Sequence, residues 1–377
     1  MNTDMDLVLK EVVTHRDWRR FIEFPKKLFK DNSCFIPSLD SDERDSLYRE
    51  KNPAYKYCDA KFWIAMRGEK IVGRVGAIIN NRANRKWNEK FVRFGWFDFV
   101  EDQNVFKALI NKVSDFGKSF GMEKIHGPLG FTDMDKECWV TDGFDNRQNI
   151  CTLYNPSYYI DFIKQAGFST DCEWIQYRIP ASQPVPEKMK KVSLMIAEKY
   201  KVRLVEFKKV REMRPYGPKL FHCLNDAFKN LYGFVELTET EIRNYVRKYF
   251  SVLDPELVKF VVDEKDEVIG FAVAMPCLDN AFRKIKGRLF PLGWTKVLHD
   301  MKHYRDIDFL LNGVRTDWHC RGIHALYHVA LNESMIKKGL RYAYSNPQII
   351  GNKAVMVWKS QYECEEHFKR AVFSRNI

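Results

Sequence analysis

Hydrophobic and polar positions fall into two successive runs that follow the same plan. In the first run, residues 7–13 predict a strand, and apolar residues at helical spacing over 18–29 predict a helix. Residues 62–66 and 71–79 face each other across Arg67-Gly68-Glu69 and predict a hairpin. A strand at 92–99, a helix at 105–120 closed by Gly121 and a strand at 124–126 follow. A helix at 158–166 closed by Gly167 and a strand at 174–179 end the run.

The second run has a strand at 202–207, helices at 219–231 and 239–249, and a hairpin of 257–263 with 268–275 across 264–267. It closes with a strand at 307–314, a helix at 323–338, a strand at 342–346 and a helix at 353–360. A helix between two strand signals implies a parallel crossover within an otherwise antiparallel sheet. The expected fold class is therefore α/β with a mixed sheet, built twice.

The stretch Ala181-Ser182-Gln183-Pro184-Val185-Pro186 punctuates the two runs, which suggests domains at 1–180 and 186–377. A length of 377 residues also exceeds what a single core commonly supports. The net charge of +12 sits almost wholly in the second domain. Residues 1–185 carry 28 Lys and Arg against 27 Asp and Glu, whereas residues 186–377 carry 34 against 23. Such a field suits a polyanionic ligand, RNA or an anionic surface, and equally a solvated face. Nine scattered cysteines without a C-x-x-C pair point to reduced thiols and to no structural metal. Neither a membrane-spanning run nor a signal peptide is legible, so a cytoplasmic protein without a membrane partner is expected.

Candidate chemistry concentrates where the apolar strand ending at Val314 enters a basic turn, Arg315-Thr316-Asp317-Trp318-His319-Cys320-Arg321-Gly322, and a helix leaves from Ile323-His324-Ala325-Leu326. Unpaired backbone N–H groups at a helix start suit a phosphate, although the same pattern also occurs in proteins that bind none. This segment resembles the acyl-CoA pyrophosphate loop of the GNAT (GCN5-related N-acetyltransferase) superfamily. Val314, Arg321, Gly322, Ile323 and Leu326 fall at matching positions. Thr316, His319 and His324 depart from the pattern, standing for a Pro, a Gln or Arg, and a small residue. A second resemblance is to bacterial tandem GNAT-like proteins. It rests on Gly95-Trp96-Phe97-Asp98-Phe99, Gly127-Pro128-Leu129-Gly130-Phe131-Thr132-Asp133, Asp142-Gly143-Phe144-Asp145 and Tyr154-Asn155-Pro156-Ser157-Tyr158-Tyr159.

The resemblance implies two GNAT-like folds, with acetyl-CoA or another acyl-CoA as co-substrate in the second. It also implies transfer of the acyl group to an amine of a small molecule or peptide. The first domain is expected to be degenerate, because Glu101 and Asp102 stand where a pyrophosphate would sit. By the same resemblance, a backbone donor for the thioester carbonyl is expected near Asn312, Gly313 and Val314. Arg315, His319, Arg321, Gly322, Ile323, His324 and Asn352 are expected around the cofactor. Asp308 is the candidate base and Tyr362 the candidate acid, because Trp358 stands where a Tyr would be expected and an indole is no practical acid. Asp308 reads equally as an ordinary strand residue, and Asn352 as a helix cap.

Two alternatives stay open: an aminoacyl-tRNA-dependent transferase of the tandem type, and a binding protein without turnover. The basic and aromatic stretch 280–291 could meet nucleic acid, and residues 282–304 could act as a lid over the cofactor. His126 with Asp133 and Asp135 reads as turn chemistry, and Trp139, Phe144, Tyr154, Tyr158 and Tyr159 as core.

Overall fold

A computed structural model describes residues 6–250, 252–352, 359 and 361–377. In chain order the elements are β1 (Leu7–Glu11), α1 (His15–Leu28), α2 (Asp40–Leu47), β2 (Cys58–Arg67), β3 (Lys70–Asn80), α3 (Asn81–Trp87) and β4 (Phe91–Phe99). Next come α4 (Gln103–Ser119), β5 (Lys124–Gly127), β6 (Trp139–Asp142), α5 (Tyr158–Gln165), β7 (Ser169–Pro180) and α6 (Glu187–Tyr200). They are followed by β8 (Arg203–Glu206), α7 (Val210–Met213), α8 (Gly217–Phe228), α9 (Glu239–Tyr249), β9 (Val258–Val262) and β10 (Val268–Pro276). The last elements are α10 (Asp279–Ile285), α11 (Gly293–His303), β11 (Asp306–Val314), α12 (His324–Lys337), β12 (Tyr342–Tyr344), β13 (Gln348–Ile349) and β14 (Glu365–Asn376).

The chain forms two compact units: the first takes two segments from the second half of the sequence, and the second begins before the 181–186 punctuation. The first holds Met1–Trp174 with Asp279–Val297 and Phe368–Ile377, and the second holds Ile175–Leu278 with Leu298–His367. In the first unit β1 to β4 form an antiparallel run, β5 lies parallel to β4, and β14 adds antiparallel to β5, with Phe373 opposite Gly127. Crossover helix α4 buries Val105, Phe106, Leu109, Ile110 and Val113 on one face, at the spacing the sequence shows. Each such side chain contributes about 1.5–3 kcal/mol by leaving water. Ala371 and Phe373 of β14 lie in the same core as Trp139 and Tyr159.

The second unit repeats the plan. Strands β8, β9, β10 and β11 pair antiparallel, β12 lies parallel to β11, and the end of β7 pairs antiparallel with β12, with Ile179 opposite Ala343. Crossover helix α12 packs Leu326, Tyr327, Leu331 and Met335 into a core that also takes Ile175, Tyr177 and Ile179 from β7. The linear punctuation at 181–186 carries no information about these exchanged segments.

Of the stretch expected to form a lid, 282–304, the part up to Val297 belongs to the first unit. Phe282 and Ile285 are buried, the Asp40 amide donates to the Gly287 carbonyl at 2.9 Å, and Arg288 pairs with Glu23 at 2.9 Å. Among the described residues, no helix is long and apolar enough to cross a membrane.

Candidate active site

In the second unit, the ladder between β11 and β12 runs through Asp306, Ile307 and Asp308 opposite Tyr342, Ala343 and Tyr344. Past Asp308 the two parallel strands no longer share a ladder, so their pairing opens there. On the other edge of β11, Leu311 pairs with Val273 and Phe309 with Ala274, which makes Leu310 the extra residue of a β-bulge. The Asn346 amide, just beyond β12, donates to the Leu310 carbonyl at 2.7 Å and holds the opening. Strand positions 309–314, beyond this opening, are half-buried or exposed, although β11 is an interior strand. Asp308 lies fully buried where the ladder ends.

The bulge therefore falls two residues before the expected Asn312-Gly313-Val314, all three of which pair regularly with β10. Gly313 has a packing role instead: a Cβ there would lie 2.9 Å from the Phe271 ring and 3.2 Å from Ala227. The continuous apolar run Phe309-Leu310-Leu311 hides the bulge, because each register looks equally hydrophobic.

The turn after β11 is tied down by Asp226 of α8 and by its own side chains. Asp226 of α8 accepts from the Thr316 amide at 2.6 Å and hydroxyl at 2.7 Å, and from Lys229 at 2.7 Å. Burial pushes the Asp226 carboxyl up, but these bonds prevail and hold it at about 2. Arg315 makes a two-pronged pair with Asp317 at 2.7 and 3.0 Å, with Asp263 at 3.9 Å. His319 Nε2 lies 2.9 Å from the Val314 carbonyl oxygen. Arg321 is exposed but stacks over Trp318 at 4.6 Å and Tyr200 at 5.5 Å.

Gly322 adopts φ +74°, and a Cβ there would meet Ile196 of α6 at 2.6 Å. Its lack of a side chain is used by Ile196 as well as by the left-handed backbone. Ile323 is buried in the core and starts α12 without a side-chain cap. The Ala325 and Leu326 amides turn back onto the Gly322 and Ile323 carbonyls at 2.9 and 3.2 Å, so the N–H groups at the very tip are those a helix start leaves for a ligand. His324 is pushed toward its neutral form by burial, and His328 one turn on is driven down to about 3 by burial and by His324. Burial thus favours uncharged imidazoles at the start of this helix.

The two candidate proton-transfer residues have separate surroundings. Tyr362 has its hydroxyl 3.8 Å from Met189 Sδ, bonds to Asn332 of α12, and has its pKa raised by burial. Asn352 is half-buried, with its amide 3.2 Å from the Ile349 carbonyl. Trp358 lies outside the described residues, as does most of the helix expected at 353–360. The structure adds Leu310, Asn346, Asp226, Ile196 and Tyr200, none of which carries a sequence motif.

In the first unit the corresponding helix start is occupied. Asp102 caps α4 by accepting from the Asn104 and Val105 amides, and pairs with Arg67 at 2.6 Å. A carboxylate there disfavours an incoming phosphate. Elsewhere in that unit, Asp135 accepts from the Phe131 and Thr132 amides as turn chemistry, and His126 pairs with Asp171 at 3.2 Å. The aromatic group around Trp139 and Tyr159 is core.

For pyrophosphate, the second-unit turn offers backbone N–H groups at an uncapped helix start and the exposed Arg321 guanidinium. Those features suit the anion, whereas Arg315 is already neutralised.

No family model matches the chain. It is 26% identical to Protein YghO of Escherichia coli over 313 residues, 82% of this chain and 76% of that protein. It is also 26% identical to a bacterial ceramide synthase of Caulobacter vibrioides over 305 residues, 80% of this chain and 78% of that one. A solved tandem GNAT protein from the clavulanic acid biosynthesis pathway superposes with a TM-score of 0.57 at 10% identity, covering 98% of both chains. The chain has the tandem GNAT fold.

Proposed function

We propose that the second unit of this tandem GNAT fold binds an acyl-CoA and transfers its acyl group to an amine. The observation that carries this reading is the end of the β11–β12 ladder at Asp308, with the bulge at Leu310 and the bond from Asn346, on the strand that leads to the start of α12. Backbone N–H groups at such an opening can donate to a thioester carbonyl as it gains charge. The amine nitrogen attacks that carbonyl carbon, the C–N bond forms, the C–S bond breaks, and the thiolate leaves. Asp308, at the ladder's end, is the candidate to take the ammonium proton. Tyr362, kept protonated by burial, is the candidate to return one to sulfur. The pyrophosphate would rest on the α12 start and Arg321.

Similarity to a bacterial ceramide synthase supports an amine acceptor that carries an aliphatic chain. A second reading, binding without turnover, is favoured by Trp358, an indole where a proton-donating Tyr is expected. Titration calorimetry with acetyl-CoA and longer acyl-CoAs, followed by transfer assays on amines, separates the two. Binding with transfer that falls about 10²–10⁴-fold in Asp308→Asn, at unchanged affinity, supports catalysis. An absence of heat with every chain length refutes both readings.

A further inference from the structure

The stretch between α10 and the middle of α11 exposes far more apolar surface than its surroundings. Phe290 is 81% exposed, Leu292 69%, Trp294 45%, and Leu298, one turn further along the same helix, 46%. Helix α11 has no buried residue at all. An isolated helix of this length is marginal in water, and soluble proteins rarely cluster large exposed apolar side chains in one short segment. Something that excludes water is needed to cover it.

The surrounding charge says what that covering is. Arg283, Lys284, Lys286 and Lys296 are exposed within the same segment, and Lys302 follows on α11. Asp300 is the lone carboxylate between residues 282 and 304. Basic residues bordering Trp, Phe and Leu match a bilayer surface, where cations meet anionic headgroups and the rings lie at the boundary with the acyl chains. Nucleic acid fits less well, because Leu292 and Leu298 offer no ring for a base to stack on. A second copy of the same stretch would set like charges against each other. The base of the segment is firm: Phe282 and Ile285 are buried, and Arg288 is engaged by Glu23.

We propose that residues 283–298 form a docking element that seats the protein on an anionic lipid bilayer without spanning it. This replaces the expectation of no membrane partner, and it does not depend on the acyl-transfer reading.

The test is sedimentation of the full chain with vesicles of phosphatidylcholine, with and without phosphatidylglycerol. Two variants join the wild type: Phe290→Ser/Leu292→Ser/Trp294→Ser and Lys284→Glu/Lys286→Glu/Lys296→Glu. All six positions are exposed, so both variants should fold, which circular dichroism checks. The wild type is expected to bind the phosphatidylglycerol vesicles and to release as salt is raised. Each basic residue near the surface contributes about fivefold, so the charge variant should bind at least about 100-fold more weakly. The apolar variant should lose more than about tenfold. Failure to bind either vesicle overturns the proposal. So does vesicle binding that survives either set of substitutions, or self-association that the apolar variant abolishes in the absence of lipid binding.

Discussion

Substituting Gly322 by Ala probes the turn most directly, because two separable costs converge on one methyl group. The backbone there sits at φ +74°, where an L side chain costs roughly 1–2 kcal/mol. The added Cβ would also stand 2.6 Å from Ile196 Cδ1, and overpacking of that kind typically costs about 1–3 kcal/mol. Gly322→Ala should therefore destabilise the start of α12 by about 2–5 kcal/mol. Ile196 is half-buried, so Ile196→Ala alone should cost only about 1 kcal/mol. In the double variant the clash disappears while the backbone strain remains. The coupling between the two sites should be about 1–3 kcal/mol in the stabilising direction. Hydrogen exchange followed by mass spectrometry on peptides from His324–Lys337 reads this locally, without assuming that the whole chain unfolds in one step. If Gly322→Ala costs the same in the Ile196→Ala background as in the wild type, to within about 0.5 kcal/mol, the packing of α6 onto the turn is wrong.

Three further expectations concern other parts of the structure. Asp226→Asn should destabilise the second unit by about 1–2 kcal/mol near neutral pH, a range discounted for the partial exposure of this carboxylate. Because the folded carboxyl is held at about 2, below its usual 3.8, its contribution is present above roughly pH 4 and is lost as pH falls through 2. Melts of wild type and variant should therefore converge in acid. In the first unit Arg74 bonds Asp98 at 2.7 Å and the Phe21 carbonyl at 3.0 Å, both side chains being buried. Arg74→Met should cost about 3–5 kcal/mol in urea titration, and a second change, Asp98→Leu, should recover much of it by removing the stranded charge. Asn346→Ala removes the donor to Leu310, and a neutral hydrogen bond of about 1 kcal/mol implies a several-fold fall in kcat for acyl transfer. An unchanged kcat would dissociate Asn346 from the site.

What the sequence discloses here follows from how strongly each segment must face a core. Helices α4 and α12 bury apolar positions at helical spacing, and both are legible at nearly their full length. Helix α6 is easily missed because Leu194 and Met195 are exposed while Ile196, Ala197 and Tyr200 pack on the core, so its apolar residues do not confine themselves to one face. Strand β14 escapes notice because Ala371, Val372 and Phe373 are buried in succession, without the alternation of a half-exposed strand. The basic turn is visible in its composition, but its charge misleads in part. Arg315 is spoken for by Asp317 two residues away, and the anchor of Thr316 is Asp226, 90 residues earlier. Partnerships over that separation leave no local pattern.

The exchange of β14 also bears on how the protein is made. Ala371 and Phe373 fill the core of the first unit, yet they follow the whole second unit in the chain. Nearly all of the second unit must be synthesised while that core waits with one edge of its sheet open. An unpaired edge beside exposed apolar side chains is an aggregation hazard during synthesis. The first unit therefore depends on residues that follow the second: a fragment ending at the 181–186 punctuation would lack its closing strand.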